Sequence, residues 1–448
     1  MQKREKMYVI LIILVLLILP FQVYRLRNRF EFNRRVRALA AEGYPVSRSD
    51  LEAAYVLPDG VDNAADVYQK AFDAYFEPNE AEEEWLPIRG YYVPSDKEPP
   101  YPPEVMEAIK TSLANNQECL ELLDQAAQME YCLFPRPRSG VGWNGWWYWD
   151  SLKIALKLLN ERNLLLAQHG QTDELFESIH TCIRLTNTSR IQPLTYDHLS
   201  TIVFKGLVAA NLQDCLNLTT FNDMQLTNLQ QQIHLQWEDN ITTHLINERA
   251  ANIEIMHLPG PDILEYYKAS SFFERSLFRL NTLLGLRDKD TLLMLDFYDK
   301  WIEIEQLPFN KQPKQLKNLK NEFNSCFRLF HCALYYALPS FRVSEAYLRI
   351  VSQLQCAETA LAVERYRLKY QRLPESLEAL VPEFIETVYL DPFDGEPLRY
   401  QLRDEGGYTI YCIGEDGVDN GGLSQDQMYM QSENADTDEC DYPFTVKK

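Results

Sequence analysis

From Val9 to Leu19 every position is Val, Ile or Leu, and the uncharged run extends from Met7 to Tyr24, 18 residues. A helix needs about 17–25 apolar residues to cross a bilayer core. The pattern therefore predicts a transmembrane helix over 7–24 behind a short tail, 1–6. A cleaved signal peptide fits less well, because the A-x-A-like site Ala38-Leu39-Ala40 lies far beyond the apolar run. From Arg25 to residue 42 the pattern becomes a basic juxtamembrane helix, which Gly43-Tyr44-Pro45 ends.

Helical spacing of apolar positions then dominates to about residue 344. Ser49-Asp50 predicts a cap for a short helix over 51–55, and Asp62 one for a helix over 63–76. Residues 77–103 are rich in Pro and Glu and read as surface loop. Val105, Ile109, Leu113, Leu120 and Leu123 predict one amphipathic helix over 104–129. Asp150 to His169 and Asp173 to Thr186 predict a helical hairpin around Gly170, with glycine just past the first helix and Asp173 capping the second. Further helices are expected at 195–217, 222–236, 238–256, 261–285, 289–305 and 313–336. The period is irregular, so 43–344 reads as a solenoid-like array of helical hairpins without a named repeat. After a long helix over 343–370 the pattern changes to a short helix at 374–380 and alternating, strand-like runs at 397–402 and 408–413. A small α+β module over 345–448 is expected. The fold class is thus mainly α: an N-terminal transmembrane helix, a helical body and a small C-terminal α+β module.

Charge and cysteine usage narrow the function. The net charge of −21 conceals an asymmetry: residues 1–40 hold nine basic and two acidic side chains, leaving −28 on the rest. So acidic a body repels nucleic acid, and no nucleic-acid partner is expected. The Arg residues flanking 7–24 suit lipid phosphates. The nine cysteines include no C-x-x-C pair, so zinc-ribbon and thioredoxin-like spacings are absent.

The C-terminal order of motifs is distinctive. A long helix ending at Tyr370 is followed by Leu373-Pro374-Glu375-Ser376-Leu377, Leu380-Val381-Pro382-Glu383-Phe384, Asp391-Pro392-Phe393-Asp394-Gly395, Tyr400, Tyr408, Gly414-Glu415-Asp416-Gly417 and Gly421-Gly422. This run resembles the globular end of the major pseudopilins of type II secretion systems. The resemblance implies a long helix against a small antiparallel sheet, with calcium organising the loop after the last strand. The rest of the chain is similar to a widespread group of uncharacterised bacterial proteins. They share an N-terminal membrane helix, a motif like Asn63-Ala64-Ala65 with Tyr68 and Ala71-Phe72, a helical body and this module.

Calcium takes six to eight oxygen ligands. Asp416, Asp419, Asn420 and Asp426 offer them on a turn-prone loop, and Asp436, Asp438 or Asp441 closes the site from the tail; the expected set is Asp416, Asp419, Asn420, Asp426 and Asp436. Catalytic patterns are weaker. Gly140 to Gly145 matches G-x-G-x-x-G, but no strand-like run leads into it and Trp143 sits where a phosphate should approach. The Trp143, Trp146, Trp147 and Trp149 cluster reads as core. Two E-x-x-H pairs, Glu177 with His180 and Glu254 with His257, allow a metal-dependent enzyme in the helical body, as does His244 beside Glu248. The main expectation is a membrane-anchored binding or scaffold protein of the bacterial envelope, linked to secretion or pilus-like machinery and engaging envelope proteins. The charge rule alone places the body in the cytoplasm. The resemblance places it outside, with the amino terminus cytoplasmic, and that orientation is the expected one.

Overall fold

A computed structural model describes residues 3–79, 83, 85–86, 101–135, 147–188, 195–237, 241–256, 275–276, 279–281, 286–325, 341–403, 406–424 and 440–447, except the side chains of 3–7, 9–18, 147 and 195–197. The described helices are α1 (Lys3–Ala41), α2 (Arg48–Ala54), α3 (Ala64–Asp73), α4 (Pro103–Asn115), α5 (Gln117–Ala127), α6 (Trp147–Gln168), α7 (Thr172–Thr188), α8 (Thr195–Leu218), α9 (Asp223–Trp237), α10 (Thr242–Ile255), α11 (Leu286–Glu305), α12 (Gln312–Ser325) and α13 (Arg342–Tyr370). Strands β1 (Arg399–Leu402), β2 (Tyr408–Cys412) and β3 (Tyr442–Val446) form one antiparallel sheet in the order β1-β2-β3. The mainly helical body and small C-terminal sheet match the sequence pattern.

The membrane expectation does not hold. Among the described residues no helix is long and apolar enough to cross a membrane. The expected span over 7–24 and the basic helix after it are one continuous helix, α1, which passes through Pro20. The side chains of 9–18, the centre of the expected span, lie outside the described residues. The basic segment, expected at lipid phosphates, makes contacts within the chain. Arg35 pairs with Asp296 and Asp299 of α11, Asp299 also accepts from Arg249 at 2.7 Å, and Arg34 pairs with Glu31. Phe32, Val36 and Leu39 pack into the main core. The single-pass anchor, the signal-anchor and the assigned sidedness are corrected accordingly.

Local sequence explains most of the body, with tertiary exceptions. Asn63, not Asp62, caps α3: its Oδ1 accepts from the amides of Ala65 (3.2 Å) and Leu133 (2.9 Å), while its Nδ2 donates to the Leu133 carbonyl (2.9 Å). That side chain mimics a strand neighbour for residues 131–133. The Asn63-Ala64-Ala65 motif is therefore structural, with Ala64, Ala65, Tyr68 and Ala71 all buried. Likewise Ser47 caps α2, two residues before the expected Ser49-Asp50 pair.

The expected single helix over 104–129 breaks between α4 and α5. Buried Asn116 turns out of the helix to bond both backbone groups of Phe76, at 2.7 and 3.1 Å. Gly170 ends α6 with φ +66°, and the amides of Gly170 and Gln171 return to the carbonyls of Ala167 and Leu166. Asp173 lies inside the first turn of α7 and accepts from Gln225 at 2.8 Å. Arg162 locks the hairpin: it pairs with both oxygens of Asp124 (2.7 and 2.9 Å) and reaches Ser178 at 2.8 Å.

Helix α13 is the spine. It packs against α8 and α9 and against β2 and β3. Ala357, Ala360 and Ala362 are fully buried, and their small side chains admit close neighbours on several faces. One continuous core joins body and sheet, from Phe32 to Val446.

Strand β3 was not expected from the sequence. Pro443 sits in it without loss, because alternate residues of β3 turn their amides outward, as Thr445 does toward Gln213 at 2.7 Å. Asn217 bonds the carbonyl of Thr445 and the amide of Lys447, so side chains of α8 cap this sheet edge.

Glu305, at the end of α11, is buried and accepts from Trp301 Nε1 (3.0 Å) and Ser344 Oγ, while its Oε2 has no partner. Burial pushes its carboxyl up to about 7, against those two donors. Folding thus favours the protonated form. The contribution is whole below the ordinary value of 4.5 and is lost as pH rises through 7. We expect this residue to lower stability by about 3 kcal/mol between pH 4.5 and 8. Guanidinium unfolding across pH should show that difference between the wild type and Glu305→Gln. Parallel curves for the two proteins would contradict it.

Candidate metal centre

The acidic loop is built from β2 outward. Its anchor is Asp391, fully buried at the start of the Asp-Pro-Phe-Asp-Gly turn. Oδ1 accepts from the Phe393 amide at 2.9 Å, which is the Asx-turn expected there, and Oδ2 accepts from the Ile413 amide at 2.8 Å. Arg399 pairs with Asp391 and Asp394, and its Nε lies 3.7 Å from Asp419. Burial raises the Asp391 carboxyl to about 6, against the two amides and Arg399. One carboxylate thus ties a turn, the strand β1 and the base of the loop together.

The chain leaves β2 through Gly414, where a Cβ would lie 2.2 Å from the carbonyl of Cys440. Only glycine permits that crossing. Asp416 accepts from the Val418 amide at 3.1 Å. Asp419 Oδ1 accepts from the Gly421 amide (2.9 Å) and the Tyr411 hydroxyl (3.1 Å). Asp441 closes the loop from the tail: its Oδ2 accepts from the amides of Asn420 (3.1 Å) and Gly422 (2.7 Å), and its own amide donates to Leu423.

Asp441 is 1% exposed, and its Oδ1 is buried without a partner. Burial raises its pKa, the two loop amides lower it, and Asp419 and Asp416 raise it further. A buried, unpaired carboxylate oxygen beside two more carboxylates suits a cation chemically.

Asp416, Asp419 and Asn420 lie on this loop, and Asp441, one of the three tail residues expected to close the site, bonds its backbone at Asn420 and Gly422. Asp426, Asp436 and Asp438 lie outside the described residues. Among the described residues, no group of three His, Cys, Asp or Glu side chains converges to hold a metal ion.

The enzyme-like pairs do not assemble among the described residues. Glu177 is exposed on α7, and His180 packs edge-on to Phe176 at 4.6 Å, where burial lowers its pKa. Glu254 instead accepts from the Arg48 amide at the start of α2, 2.8 Å away. His257 and the Gly140–Gly145 run lie outside the described residues, as do Trp143 and Trp146; Trp149 packs against the core. His244 faces His198, with ring centres 4.5 Å apart.

Sequence reasoning missed a second polar centre. Glu358 of α13, 3% exposed, accepts from Trp237 Nε1 (2.7 Å), Tyr389 OH (2.6 Å) and His234 Nδ1 (3.2 Å). A Glu within an apolar helical face was its one visible signal. Its three partners come from α9 and from the segment before β1, so no local spacing reveals them. No family model, no curated protein and no solved structure matches this chain.

Proposed function

We propose that this chain is a binding or scaffold protein whose helical body holds a calcium-organised, pseudopilin-like loop toward a protein partner of secretion or pilus-like machinery. The observation that carries this reading is the orphaned Asp441 oxygen, buried next to Asp416 and Asp419 at the base of the loop. A divalent cation there would relieve the mutual repulsion of three carboxylates. Asp416, Asp419, Asp441 and the side-chain oxygen of Asn420 would hold it, with further oxygens from Asp426 and Asp436. One core joins the helical body to the sheet that carries the loop, so the body supports the binding surface proposed here.

Calcium should stabilise the full chain. At a hundredfold excess over Kd, binding to the folded form alone contributes about 2.7 kcal/mol. Thermal unfolding with calcium and with EDTA measures it. The gain should disappear in Asp416→Ala and in Asp441→Asn, and magnesium should give less. A melting temperature indifferent to millimolar calcium removes the calcium site from this reading.

A further inference from the structure

The seven described cysteines are all buried. Two of them meet. Cys356, in the middle of α13, and Cys412, the last residue of β2, have sulfurs 3.9 Å apart, and both side chains are fully buried. A disulfide bond is about 2.05 Å long, so the sulfurs must close by about 2 Å, within reach of side-chain rotation. The remaining contacts of the two sulfurs are weak: Cys356 donates to the Tyr442 carbonyl at 3.8 Å and Cys412 to the Ser352 carbonyl at 4.0 Å. Cys182 and Cys215 also influence each other. Their sulfurs, however, are engaged by Asn163 and Asn160, and by Asn211, respectively.

We propose that Cys356 and Cys412 are a disulfide-forming pair that staples the spine helix to the central strand when the chain folds in the presence of a small-molecule disulfide oxidant. The step is thiol–disulfide exchange. One cysteine thiolate attacks the oxidant, forming a mixed disulfide and releasing one reduced thiol. The second cysteine thiolate attacks the protein sulfur and releases the second. Two cysteine thiols are oxidised, one oxidant disulfide is reduced to two thiols, and the two protons pass to those leaving groups.

Burial governs the timing. It pushes the Cys412 thiol well above its ordinary value, so little thiolate exists in the folded core. The bond therefore forms as β2 docks on α13, and once formed it is shielded from reductant. The bond also fixes β2 just before Ile413, where the acidic loop begins. The proposal is independent of calcium, because neither sulfur is a ligand in that reading.

The test uses the full chain made by cell-free synthesis across a series of glutathione ratios, followed by alkylation and non-reducing digestion. The expected product is one peptide pair joined through 356 and 412, two hydrogens lighter than its parts. The pair should resist reduction by at least about tenfold in glutathione ratio compared with the same two cysteines in the denatured chain. The oxidised chain should unfold at higher guanidinium than the reduced chain, and Cys412→Ser should abolish that difference. Independent alkylation of both residues at every ratio, or their linkage to other cysteines, overturns the proposal. That result needs no variant to fold.

Discussion

Glu358→Ala is expected to lower the stability of the chain by about 3–5 kcal/mol, the cost of breaking a buried, charge-assisted cluster. The wild-type carboxylate receives three donors: an indole N–H, a phenol and an imidazole. Alanine leaves the Trp237 N–H and the Tyr389 hydroxyl without that acceptor, at about 1–3 kcal/mol each. Water replaces part of the loss at His234, whose side chain is 37% exposed. Glu358→Gln retains an acceptor and should cost less, about 1–3 kcal/mol. Guanidinium unfolding of both variants ranks them. An Ala variant within 1 kcal/mol of wild type, on the order of one ordinary hydrogen bond, would mean that the cluster does not hold the seam between α9, α13 and the segment before β1.

The second large effect is expected at Asp391. Asp391→Ala removes the acceptor of the buried Ile413 amide and of the turn at Phe393, and takes away one partner of Arg399. The loss should be about 3–4 kcal/mol. It should also be local in origin. Hydrogen exchange should speed up first at Ile413 and in the Gly414–Leu423 loop, before the α6–α7 hairpin responds. Arg399 retains Asp394, so the guanidinium is not stranded. Uniform exchange across the chain, or a loss below about 0.5 kcal/mol, would contradict the role given to Asp391.

These two residues differ in how visible they were beforehand. Asp391 stood in an Asp-Pro-x-Asp-Gly run, and turn chemistry is local: the carboxylate reaches an amide two residues on, so the sequence carries it. The bond to Ile413 spans 22 positions and carried no such mark. Glu358 had nothing local at all. The same contrast holds for the helices. Glycine at 170 marks the end of α6 because only its own φ is involved. The break at Asn116 depends on Phe76, 40 positions away, and periodicity ran straight through it.

The candidate site divides in the same manner. Asp416, Asp419 and Asn420 lie close in sequence and were legible as a cluster of oxygens. Which tail carboxylate returns to them was not legible, since Asp436, Asp438 and Asp441 have equal chemistry. The β2–β3 pairing brings Asp441 to the loop by setting Tyr442 opposite Cys412. That pairing was itself hidden, because β3 is five residues long and contains a proline.

The N-terminal run shows the opposite error, where a strong local pattern was read too far. Apolar content predicted a span bounded by basic residues at lipid. The structure continues one helix through that boundary, and Arg35 meets Asp296 and Asp299 instead.

By itself, then, the sequence determined the helical body, the long spine helix, two of the three strands and the acidic loop, because periodicity, turn residues and local oxygen clusters act over a few positions. The tertiary structure alone decided that Asp441 bonds the loop amides, which thiols meet and where Glu358 finds its donors, because each joins residues that only packing around α13 brings within a few ångströms. It also decided what the basic residues of α1 pair with, since a charge's partner is set by the surface it reaches, not by its neighbours in the chain.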